Sequence, residues 1–220
     1  MRHLIASTLA AVLCGGLAAP AAAEFELDFY MGAQSAASSR AEGDRPGGGT
    51  YGTTFDWEGR SFEMPFYYGL RGTWWRSETF GWGVEGTHTK VYAPRDERDA
   101  AGFDRFELSD GHNIITVNAL RRWPDGWQGL TPYVGAGVGF AMPHVDVEPA
   151  GGGPRTYGFE VTGPAARLFA GARYAVTERW SVFGEVQATW SDNTADLDGG
   201  GTLETEIVTN AVNLGIGYSF

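Results

Sequence analysis

"VNLGIGYSF", Val212 to Phe220, ends the chain on a strict two-residue alternation. In an extended strand Val212, Leu214, Ile216, Tyr218 and Phe220 share one face, while Asn213, Gly215, Gly217 and Ser219 share the other. Chain ends are ordered only when something ties them down. A terminus with so regular a pattern therefore has to be matched by the rest of the chain, and both of its faces have to meet something.

The opposite end narrows the setting. "MRHLIASTLAAVLCGGLAAPAAA" begins with Arg2, continues through an apolar stretch from Leu4 to Leu17, and ends on small residues at Ala21 and Ala23. This pattern is expected of a secretory signal over residues 1–23, cleaved before Glu24. Cys14 reads as apolar filler, because Leu13 before it is a poor fit to lipoprotein processing. Removal of the signal would leave no cysteine, which excludes disulfides, thiol nucleophiles and thiolate metal sites from the mature chain. The remaining length suits one domain, 24–220. Asp and Glu number 27 against 16 Lys and Arg, a balance that argues against a nucleic-acid partner.

No later segment has the ~20 consecutive apolar residues of a spanning helix, so any membrane crossing must use strands. Eight alternating segments of suitable length follow one another: "FELDFYMGA", "FYYGLRGTW", "WGVEGTHTK", "IITVNALRRW", "YVGAGVGFAM", "ARLFAGARYAV", "WSVFGEVQATW" and "VTNAVNLGIGYSF". Long connections, near 35–63, 92–111, 143–164 and 191–206, alternate with short ones near 76–79, 124–129 and 177–179. This is the layout of an all-β, eight-stranded antiparallel up-and-down transmembrane β-barrel with four long extracellular loops, located in the bacterial outer membrane. The closing strand seals the barrel, and its terminal Phe220 resembles the signal read by the barrel-assembly machinery.

Phe25, Leu27, Phe29, Met31, Phe66, Tyr68, Leu70, Trp74, Val182, Val186 and Trp190 form the expected lipid-facing set. Glu26, Asp28, Arg71, Glu85, Asn118, Arg122, Arg167, Arg173, Glu185, Gln187 and Asn213 form the inward set. An eight-stranded barrel has room for those side chains and none for an open pore, so its four acids and four arginines should neutralise one another as a plug. A soluble barrel would reverse the two faces. Trp and Tyr concentrated near strand ends, together with the terminal Phe, favour the membrane orientation.

Beyond the signal there are three histidines, and the loop pattern puts all of them at the long-loop rim: His88, His112 and His144. Asp110 lies two residues before His112, while "PHVDVE" lines up His144, Asp146 and Glu148 on one extended face. Imidazoles with carboxylates and open positions describe a site for a divalent metal such as iron, with His88, His112, His144, Asp146 and Glu148 as ligands and Asp110 as a further catalytic group. Plain polar residues at a wet rim are the competing reading, and strand parity turns His88 outward unless the rim is irregular. Lys90, Arg95, Arg105 and Arg155 are the rim cations available to lipid phosphates. Ser109 near His112 does not make a triad, and Glu85 with Glu185 is too deep in the barrel for a substrate. The runs "RPGGGTYG", "PAGGGP" and "DGGGT" lead into no helix and read as loop rather than phosphate cradle.

"FDWEGRSFEMPFYYGLRGTWW", "LSDGHNIITVNALRRW", "TPYVGAGVGFAMPHVDVE", "TYGFEVTGPAARLFAGARY" and "DLDGGGTLETEIVTNAVNLG" together resemble the outer-membrane lipid A oxidase family, and more generally OmpA/OmpX-type small barrels. The resemblance covers most of residues 24–220, and its specific part lies in "DGHN", "PHVDVE" and "LDGGGTLET". It implies oxygen-dependent oxidation of the proximal glucosamine of lipid A to 2-aminogluconate, with lipopolysaccharide and outer-membrane lipids as partners and no organic cofactor. The alternative is a non-catalytic OmpA/OmpX-like barrel serving as anchor, adhesin or envelope-integrity protein. A lipid A deacylase would carry a His-x-Ser arrangement, whereas this chain has His88-Thr89-Lys90.

Overall fold

Alternating side chains become paired strands throughout the computed structural model, which describes residues 24–220 except Asp125 and Trp127, and the backbone alone of Ser109 and Asp110. The expected signal, 1–23, lies outside the described residues. Strands β1 (Glu24–Ala36), β2 (Ser39–Asp44), β3 (Thr50–Phe55), β4 (Tyr68–Trp75) and β5 (Phe80–Tyr92) precede a short helix, α1 (Arg95–Ala100). After it come β6 (Phe103–Arg122), β7 (Leu130–Pro149), β8 (Thr156–Phe159), β9 (Gly163–Ala175), β10 (Trp180–Leu197) and β11 (Gly201–Ser219). Eight of these, β1, β4, β5, β6, β7, β9, β10 and β11, pair in that order, all antiparallel, and β1 closes on β11. The terminal strand is thus held on both edges.

The paired rows also fix the stagger of the barrel. Beginning at Phe25, the row passes Trp74, Trp82, Ala119, Ala136, Leu168, Ala188 and Asn210. It returns to β1 at Ser35, ten residues above its start (25 to 35). A row therefore climbs ten residues over eight strands, or about 1.25 residues per strand, which is the tilt that closure requires. That slope allows the heights of residues on different strands to be compared.

Outside, Leu27, Phe29, Met31, Phe66, Tyr68, Leu70, Val182, Val186, Leu214 and Ile216 are exposed, and Phe25, Trp74 and Phe220 pack ring to ring at the short-turn end. Inside, the charges pair. Arg71 reaches Glu185 at 2.6 Å and Asp28 at 3.6 Å, Arg167 holds Glu85 at 2.6 Å, and Arg173 bridges Glu26 and Asp28 at 2.7 and 2.8 Å. Arg122 binds Glu24 at 2.6 Å, a partner outside the expected inward set. Tyr30 sits among these groups because Gly69 opposite it has no side chain: a Cβ there would lie 2.0 Å from the Tyr30 ring. Buried ions are tolerable only when paired in this way, and the packed network fills the lumen.

Toward the long-loop end the interior becomes apolar. Tyr51, Phe55, Trp57, Phe103, Phe106, Leu108, Val145, Val147, Leu197, Leu203 and Ile207 form one buried cluster. Much of what reads as loop is strand: β6 begins at Phe103, β7 runs to Pro149, and β10 and β11 continue to Leu197 and from Gly201. These extensions persist because their inward residues bury one another under the β2–β3 hairpin, which pairs with β11 through Ala41 and Glu42. The barrel mouth is closed by this cap.

Candidate functional site

The rim is organised by an irregularity in β6. Between Leu108 and His112 β6 advances four residues, while β7 advances two, from Val145 to Pro143, and β5 two, from Val91 to Thr89. Ser109–Gly111, three residues opposite one on each neighbour, form a bulge, and Gly111 carries it with φ +111. Two extra residues preserve the facing of the strand, so Leu108 and His112 both point inward.

His88 keeps its parity and faces outward. Its ring stacks on Tyr68, centroids 5.2 Å apart, and Nδ1 lies 3.2 Å from Asn113 Oδ1. A Cβ on Gly111 would lie 2.5 Å from His88 Nδ1, so the bulge rests directly on the imidazole. Lys90, two residues higher, is buried beneath the loop that leads into β4 and donates from Nζ to the carbonyls of Arg60 and Glu63 at 2.9 and 2.7 Å. His144 faces outward from β7 against the ring edges of Tyr157 and Phe159, at 4.3 and 4.8 Å. His88, Lys90 and His144 thus occupy one outer wall, on the two strands that flank the β6 bulge.

His112 lies on the opposite face. It is buried inside the barrel, with Nε2 2.8 Å from Ser191 Oγ, and Asn193 Nδ2 donates to the same oxygen at 3.0 Å. The three imidazoles do not converge. The Asp110 side chain lies outside the described residues; its backbone belongs to the bulge.

Above His144 the wall carries ion pairs. Arg155 clamps Asp146 with two bonds of 2.7 Å, and Arg105 bridges Glu107 at 2.9 Å and Asp146 at 3.5 Å. Glu107 faces Asp146 across the ladder, and burial, reinforced by that neighbouring carboxylate, raises its pKa despite Arg105. Glu148, opposite Arg105, is half-buried. Arg95 stands apart on α1, fully in solvent and 3.8 Å from Asp99.

With this geometry in place, comparison with known proteins fixes the family. The model of the outer membrane protein beta-barrel domain matches residues 7–220. This chain belongs to that family. Solved structures agree on the fold: Neisserial surface protein A (NspA) aligns over 89% of this chain and 97% of its own at 16% identity, TM-score 0.51. The outer membrane protein OprG from Pseudomonas aeruginosa aligns over 90% of this chain and 96% of its own at 14% identity, TM-score 0.51. No curated protein matches the chain. As an outer-membrane barrel it sits in the bacterial outer membrane, where the short turns of such barrels face the periplasm and the long connections face outward. His88, Lys90 and His144, themselves buried, lie on the long-loop side of the apolar outward rows of β5 and β7.

The barrel's wall does not fit the expected metal centre. Among the described residues no three His, Cys, Asp or Glu side chains are grouped to hold a metal ion. Asp146 is committed to Arg155, and His112 is on the far side of the sheet. Of the expected phosphate-binding cations, Lys90, Arg105 and Arg155 are engaged by carbonyls and carboxylates of the chain itself, and Arg95, the most exposed of the four, lies 3.8 Å from Asp99. The sequence reading missed two apolar flaps beside the wall, one carrying Phe62 and Met64, the other Tyr157 and Phe159. Their signal was present: Phe62, Met64, Phe66, Tyr68 and Leu70 continue one alternation, as do Tyr157, Phe159 and Val161.

Proposed function

We propose that this barrel acts on the lipid of the outer leaflet, oxidising the proximal glucosamine of lipid A to 2-aminogluconate with dioxygen as acceptor. One observation carries the reading. "LSDGHN" and "PHVDVE", the segments in which the resemblance to lipid A oxidases is specific, lie side by side on β6 and β7, next to His88 and Lys90 on β5. Residues distant in sequence thereby meet at the long-loop end of the barrel wall. The interior is closed by the ionic plug and the apolar cap, so a lipid can reach polar chemistry only from the side.

In the reaction, two electrons and two protons pass from the C1 hemiacetal of the sugar to dioxygen, giving a lactone and hydrogen peroxide. Water then opens the lactone to the acid, a net gain of one oxygen atom. His88 and His144 supply the imidazoles of the wall, the side chain most often used for proton transfer in catalysis. The test is mass spectrometry of lipid A incubated with purified protein in air and under argon. Gain of one oxygen atom only in air supports oxidation, and unchanged lipid A in both atmospheres rejects it.

A non-catalytic barrel is the second reading. Its specific support is that Asp146, Arg105 and Arg155 are satisfied by one another, as in a surface built for stability.

A further inference from the structure

The upper limit of the apolar surface is not level around the barrel. On β10 and β11 the outward row turns acidic directly above Trp190 and Val208, continuing as Asp192, Asp196, Glu206 and Glu204. On the neighbouring sector it keeps rising. Above Phe140 of β7 the outward side chains of the β8 segment are Val161, Phe159 and Tyr157, each more than half exposed. With the slope of about 1.25 residues per strand, Phe159 and Tyr157 stand level with Thr194 and Asp196 of β10. At one height, then, one sector presents aromatic rings and the next presents carboxylates.

A second apolar flap lies on the other side of the same wall. The loop into β4 is drawn over β5 by the bonds of Lys90 to Arg60 and Glu63, and it leaves Phe62 and Met64 73% and 74% exposed. Both continue directly, through Phe66, into the lipid-facing Tyr68 and Leu70. Large apolar side chains this exposed, on two separate segments that merge with an established lipid contact, mark more of the same contact.

We infer that the two flaps, Phe62–Phe66 and Tyr157–Val161, are seated in the outer leaflet and hold lipid beside the His88, Lys90 and His144 wall, whose side chains are themselves buried. The partner is an outer-leaflet lipid, its acyl chains against the flaps. The acidic β10–β11 hairpin stands clear of the bilayer at the same height. The inference rests on the lipid A reading and deepens it by placing lipid beside that wall, and membrane depth can be measured on the protein whether or not it oxidises anything.

The experiment places single cysteines at Met64, Phe159, Thr194 and Asp196 in a Cys14→Ser background. Each is labelled with an environment-sensitive fluorophore and reconstituted in vesicles of phosphatidylcholine with lipopolysaccharide, using only variants that show the heat-modifiable migration of the folded barrel. The labels at 64 and 159 are expected to be quenched by lipids brominated on their upper acyl carbons and several-fold less accessible to aqueous iodide than those at 194 and 196. Equal iodide accessibility at all four sites, or quenching by brominated lipid at 194 and 196 instead, overturns the inference. If depth is as expected and lipid A is still unchanged in air, the oxidation reading fails while the lipid contact stands.

Discussion

Replacing Glu85 with Ala should destabilise the barrel more than any single change on its lipid face. Its carboxylate is fully buried, holds Arg167 at 2.6 Å, accepts from Asn118 at 2.8 Å and Gln187 at 3.0 Å, and also accepts from Tyr30. Without it, Arg167 keeps, among the described residues, a 3.4 Å contact to Thr189 Oγ1 and is left as an uncompensated buried cation. Breaking a buried pair on one side costs about 3–5 kcal/mol. With a urea slope of about 2 kcal/mol per M, the unfolding midpoint of the refolded protein in vesicles should fall by about 2 M. The exposed Arg40–Glu42 pair, 2.7 Å long, provides the contrast: Glu42→Ala should cost no more than about 1 kcal/mol. Glu85→Leu combined with Arg167→Leu should recover much of the loss, because replacing both members of a buried pair with apolar residues is often neutral. A midpoint for Glu85→Ala within error of wild type, or a double variant worse than the sum of the singles, would refute the view that paired charge holds the lumen together.

Other outcomes follow from the same geometry. Leu214→Arg, on the exposed lipid face, should cost roughly 2–4 kcal/mol and lower surface levels of the folded barrel, while Ser38→Arg in the first loop should not; equal levels would reverse the assigned faces. In planar bilayers the protein should show no steady conductance, since the plug and the cap both close the lumen, and stable openings in most recordings would contradict this. Glu107 has a raised pKa in the fold, so the folded state binds a proton that the unfolded chain releases near the ordinary value of 4.5. Its contribution to stability therefore falls as pH rises through the window above 4.5, and Glu107→Gln should flatten that part of a stability-against-pH curve; an unchanged slope counts against it.

The barrel itself was legible because alternation is dictated by the two environments of each strand. Val212 to Phe220, the eight segments and the inward charges all carry that signature. The cap was not, since Gly and Asp in "DLDGGGTLET" signal a turn, yet Leu197 and Leu203 continue the strands on either side by burying against Phe55 and Phe106. The site was legible only in part. Strand order put all three histidines at the rim, but parity along each strand divides them: His112, in step with the inward Asn118, lies inside with Ser191, while His88 and His144 lie outside. Ion pairs such as Arg155 with Asp146 join β7 to a loop residue nine positions on, beyond what spacing along a strand can reveal.

If the outer wall of β5 and β7 works on lipid A, then lipid A should differ between outer membranes carrying the wild-type protein and those carrying His88→Ala/His144→Ala, at matched amounts of folded barrel and in air. Lipid A should be heavier by one oxygen atom with the wild type and unmodified with the double variant, while Ser191→Ala, altered only inside the barrel, still converts it. Conversion that survives in the double variant, or lipid A unmodified by the wild type, would contradict that role of the wall.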